Sequence, residues 1–139
     1  MDVNLVLAVE ENNQEIISGY PEADIFKFYA HPQETFDLLK KVNNVPENVP
    51  EIILKHHYRP DGSGFPSGNA VTVSPLEAIF ILSHAYVHKF YMGGFDRDRV
   101  PAIYKEIAET FKSPQFKVAL KALTSALATL YPQIILFKK

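Results

Sequence analysis

The stretch 59–68, RPDGSGFPSG, constrains the fold more than any other part of the chain. Prolines at 60 and 66 and glycines at 62, 64 and 68 mark it as non-helical. On both sides the pattern is helical, so the loop joins helices. Upstream, Pro21 at a first-turn position with Ile25, Phe28 and Tyr29 predicts a short helix up to His31. Pro32 is expected to open a second helix carrying Phe36 and Leu39, stopping at Asn43-Asn44. A third opens near Pro46, is anchored late by Ile52 and Ile53, and leads into His56-His57. Downstream, Ser74-Pro75-Leu76-Glu77 combines a capping serine, a proline at the first helical position and a glutamate three residues on. That helix should run to about Tyr91, where Gly93-Gly94 ends it. Asp98 or Arg99 opens another to about Lys112, and Ser113-Pro114 a last one through Leu130.

The expected fold class is therefore all-α, a single bundle of five to six helices in one domain over 1–139, with its helical core at 20–130. Residues 1–19 stay open, because the apolar run at 3–9 suits either a strand or a buried segment. The length of 139 residues fits one domain with a real core and is short for two. A composition 47% hydrophobic and 22% charged excludes a disordered chain. The net charge of −2 provides no field to gather nucleic acid, so duplex DNA or RNA is not an expected partner. No apolar run approaches the roughly 18 residues that span a bilayer, and residues 1–4 lack a signal peptide's basic region. No membrane partner is expected, and the default location is cytoplasmic.

With no cysteine, disulfides and thiolate zinc sites are excluded, and any metal rests on the five histidines and on carboxylates. A lone histidine on a helix is more often structural than a ligand. The adjacent pair His56-His57 is less ordinary: two neighbouring imidazoles are costly if both are charged and useful if both donate lone pairs to metals. His84 and His88 stand four apart on one helical face, a spacing that suits a shared metal and also arises by chance. In the loop, glycines permit close approach of backbone to a phosphate, and Arg59 has the fork geometry to bind one. The same residues, taken alone, make an ordinary surface turn.

Taken together, His56-His57-Tyr58-Arg59-Pro60-Asp61-Gly62-Ser63-Gly64-Phe65-Pro66 resembles the HHExxDGxGYP signature of HD-GYP domains. Tyr58 stands in place of the glutamate and Phe65 in place of the tyrosine. His31-Pro32 sits where that family has its HP pair, and the helix from Leu76 resembles the family's next helix, which carries a metal-binding aspartate. The resemblance covers about 20–130. It implies an all-helical phosphohydrolase that hydrolyses cyclic di-GMP with two or three iron or manganese ions. By position, His31, His56 and His57 would be metal ligands, with His84 standing in for the aspartate. Arg59, Asp61, Gly62, Gly64, Phe65 and Pro66 would form the loop beside a nucleotide or partner.

The departures are as informative. The chain contains no His-Asp dipeptide, and in register the family's dyad falls on Met1-Asp2, making Asp2 the candidate remnant. The helices that normally precede the dyad do not precede it here, as expected of a piece of a longer protein or of a degenerate domain. Holding two cations close together on neutral imidazoles, without bridging carboxylates, is electrostatically unfavourable. The leading expectation is a catalytically inactive module that binds a nucleotide, a signalling protein or a second copy of itself in cyclic di-GMP signalling. The runner-up is an active metal-dependent phosphodiesterase completed by absent sequence or another subunit. A third possibility is a helical domain whose histidines are merely structural.

Overall fold

The computed structural model describes residues 3–11, 13–67 and 71–134. Every regular element among them is helical, as the sequence pattern requires. The helices are α1 (Val3–Glu10), α2 (Gln14–Ile17), α3 (Glu22–Leu39), α4 (Val49–Lys55), α5 (Pro75–Met92), α6 (Val100–Thr110) and α7 (Lys117–Leu130). Short 3-10 turns, Arg97–Arg99 and Pro114–Phe116, lead into α6 and α7. The contacts of the chain gather into two compact units, Met1–Val71 and Thr72–Lys139.

In the first unit, the segment left open between strand and buried stretch is helical. Leu5, Ala8 and Val9 recur at the spacing of one helical face and are buried with Ile17 and Phe28. Val6, Tyr20, Ile25 and Phe65 pack around them. Asn13 caps α2, its side chain accepting from Ile16 N at 3.3 Å. Helix α3 corrects the expected division at Pro32: the helix passes through it for 18 residues, and Pro32 is buried inside. A proline costs an interior helix one hydrogen bond, but burial of the ring and of Phe28 on the same side holds the helix together. Helix α3 packs on α4, which starts at Val49 rather than Pro46 and carries Pro50 in its first turn.

In the second unit, α5 is the central element, packed against α6, α7 and the turn at Pro114–Phe116. Its start has the full capping box: Glu77 N donates to Ser74 Oγ at 3.3 Å and Ser74 N donates to Glu77 Oε2 at 2.9 Å. Ala78, Ile81, Leu82 and Ala85 are buried on one face against Ile103, Ile107, Phe116 and Leu127 of the same unit's core. Lys89 reaches Glu106 on α6 at 2.9 Å, and Tyr104 on α6 meets Thr124 on α7 at 2.8 Å. Tyr86 is buried there too. Burial pushes its phenol up to about 12, with the neighbouring Tyr131 adding to the rise.

Candidate metal centre

Helices α3 and α4 bring together three histidines that lie 25 and 26 positions apart in sequence. One ring nitrogen from each of His31, His56 and His57 falls within 4.8 Å of the others. His31 Nε2 and His56 Nε2 face one another at 3.2 Å. The ring of His57 lies 4.0 Å from that of His56 and 5.0 Å from that of His31, between centroids. His57 is buried, and the other two are half-buried.

The tautomers follow from the backbone. His31 Nδ1 contacts the carbonyl oxygen of Phe28, and His56 Nδ1 that of Ile53. A carbonyl can only accept, so each Nδ1 carries the proton and each neutral ring leaves its lone pair on Nε2. Those carbonyls are available for a reason. The helical partner of Phe28 O would be the N–H of residue 32, and residue 32 is proline. Ile53 lies in the last turn of α4, where its carbonyl accepts only a long backbone bond of 3.5 Å from His56 N and keeps a lone pair for the His56 ring. Two lone pairs facing each other at 3.2 Å repel unless a proton or a metal ion lies between them. Two imidazoles on a zinc-sized ion, with bonds of about 2.0–2.1 Å, stand about 2.8–3.4 Å apart across octahedral to tetrahedral angles. The spacing therefore fits a shared ion, and the Nδ1–H to carbonyl bonds are the supporting contacts that metal-binding histidines usually make.

Beneath the site lies Phe28, which is 1% exposed. Its ring stands 5.4 Å from His31, 5.3 Å from His57 and 5.3 Å from Phe65. Phe65 stacks on His57 with centroids 4.7 Å apart and planes 22° from parallel. The loop reaches this position because Phe65 N donates to His57 O at 3.0 Å. Gly64 allows the close approach: a Cβ there would sit 2.0 Å from His57 O and 2.7 Å from Arg59 Cγ. Gly62 takes a positive φ of 85° at the turn, and Asp61 Oδ1 accepts from both Ser63 N and Ser63 Oγ. Arg59 is buried with its stem against Gly64, while Asp61 and Pro66 are exposed.

Of the residues singled out in sequence, His31, His56 and His57 converge. His84 belongs to the second unit, on α5, with its ring 6.2 Å from His88 and 6.3 Å from Phe80. Asp2 and Gly68 lie outside the described residues. Phe28, legible in the sequence only as a helix residue, is the floor of the site, and Pro32, expected to start a helix, instead releases a carbonyl for its neighbour. The signal was the His-Pro dipeptide itself, read one turn of helix backwards.

This is a trihistidine, metal-capable centre in an all-helical scaffold. Residues 17–83, which hold all three histidines and the loop, match the family model described as HD domain, a group whose members bind divalent metals. No curated protein and no solved structure matches the chain.

Proposed function

We propose that the chain serves as an HD-like module that holds one divalent cation on His31, His56 and His57 and binds a phosphodiester ligand there without efficient hydrolysis. Cyclic di-GMP is the first candidate ligand, and iron or manganese the first candidate metals. The carrying observation is the pair of Nε2 lone pairs at 3.2 Å, each fixed by an Nδ1–H donated to the backbone.

An ion bound there would offer an open coordination position and Lewis acidity to a phosphate oxygen. The protein's own contribution is to hold three neutral imidazoles in register and to wall one side with Phe65 and Phe28. Three neutral ligands leave an ion its full charge, which favours capture of an anion. They also disfavour a second cation a few ångströms away, the arrangement that clamps both oxygens of an in-line phosphodiester displacement.

The test has two parts. Metal content is measured on protein prepared without chelator or histidine tag, and cyclic di-GMP is titrated and assayed for turnover with added iron or manganese. One equivalent of metal, saturable binding and no turnover support the proposal. Two equivalents with measurable hydrolysis would replace it with the phosphodiesterase reading. No metal at all, with His56→Gln behaving like the parent chain, would leave the histidines a structural role.

A further inference from the structure

Helix α5 is largely apolar on both faces, with Ser83, His84 and His88 the polar residues along its outer one. Its charged residues are Glu77, held in the capping box, and Lys89, held by Glu106. One face is buried within its own unit. On the opposite face Leu76 is 48%, Phe80 39%, Val87 58% and Tyr91 53% exposed, flanked by Ile79 and by Phe95 beyond the helix end. A shallow cavity of about 480 Å³ runs along this face. A helix apolar on both faces is normally covered on both.

The spacing of that face points to what covers it. Its residues are symmetric about the gap between Ser83 and His84: Phe80 and Val87 lie equally far on either side, and so do Leu76 and Tyr91. A stripe symmetric about its own midpoint is complementary to itself when two copies run antiparallel, which is the requirement of an interface built on a two-fold axis. The small Ser83 at the midpoint lets the helices approach. We propose that α5 pairs with α5 of a second copy, antiparallel and crossing at Ser83 and His84, with Phe80 against Val87 of the second copy and Leu76 against its Tyr91.

The area is sufficient. Six large apolar side chains, each showing roughly half of a surface of about 150–250 Å², offer on the order of 600 Å² per copy. Standard interfaces bury about 600–1,000 Å² per partner. The face presents no carboxylate or ammonium that would oppose its own copy across the axis; its groups that titrate near neutrality are the imidazoles of His84 and His88, which pack there in the neutral form.

Sedimentation over a concentration series should show a reversible dimer, and Val87→Glu should shift it to monomer with the circular dichroism spectrum unchanged and thermal unfolding equal to the parent's at concentrations where the parent is also monomeric. A second measurement does not depend on that variant. The chain lacks cysteine, so introduced thiols report alone. Mild oxidation should cross-link the double variant Phe80→Cys, Val87→Cys into dimers. Phe80→Cys alone should not cross-link, because its two copies would lie about 10 Å apart along the axis, beyond disulfide reach. A chain that stays monomeric, a dimer that survives Val87→Glu, or equal cross-linking by the single and double variants would overturn the proposal.

Discussion

Replacing Pro32 with alanine should make the first unit no less stable while weakening metal binding at the candidate trihistidine centre. Alanine returns an N–H to the middle of α3, opposite the carbonyl of Phe28 that now accepts from His31 Nδ1. Helix propensity favours alanine over proline by about 3 kcal/mol in a helix interior. Loss of two buried methylenes at this buried position costs about 1.6 kcal/mol. The net change in folding stability is thus between zero and a gain of about 1.5 kcal/mol. At the site, the restored backbone bond competes for the carbonyl that fixes the His31 tautomer. Loss of such a supporting contact typically costs 10–100-fold in metal affinity, or about 1.4–2.8 kcal/mol. The assay is competition for zinc or manganese against a chromophoric chelator, run beside urea denaturation of the apo-protein. Affinity within two-fold of the parent would refute the reasoning, because the carbonyl would then be serving both donors at once.

Gly64→Ala should cost about 2–3 kcal/mol by denaturation, since its Cβ cannot coexist with His57 O and the Phe65 hydrogen bond and stacking must give way. Gly62→Ala, with open space around it, should cost only the positive-φ strain of about 1–2 kcal/mol and leave metal affinity alone. Ser74→Ala removes one half of the capping box on α5 and should lower stability by about 1 kcal/mol, read as a shifted urea midpoint with unchanged slope. For Tyr86 the raised pKa means that the fold favours the neutral phenol. Its contribution is intact below pH 10 and is lost as pH rises from about 10 toward 12. Unfolding followed across that range should show a steeper alkaline loss in the parent than in Tyr86→Phe.

The sequence carried the second unit well because its helix boundaries are chemical. Ser74-Pro75 with Glu77 states a helix start, and Gly93 states its end. It carried the first unit less well. Pro32 looks like a boundary when weighed by local propensity, but its burial beside Phe28 is a tertiary fact that overrides the local cost. The run at 3–9 is too short to reveal its period, and it becomes a helix because Leu5, Ala8 and Val9 find Ile17 and Phe28. At the site, the residue types able to hold a metal were legible from the motif, whereas the convergence of His31 with His56 depends on how α3 packs on α4. The self-matching stripe on α5 was visible as letters all along, but letters do not say which side of a helix is already covered.

Phe28 belongs to two structures at once, the floor of the trihistidine centre and the cluster that holds α1 within the first unit. If an ion bound there stiffens Phe28, occupancy of the site and attachment of α1 become reciprocal quantities. Whatever tightens the histidines raises the free energy needed to peel α1 away, and whatever loosens α1 is felt as weaker ligation. Hydrogen exchange on the amides of α1, from a helix whose buried residues include no ligand, would thus gauge how full the centre is.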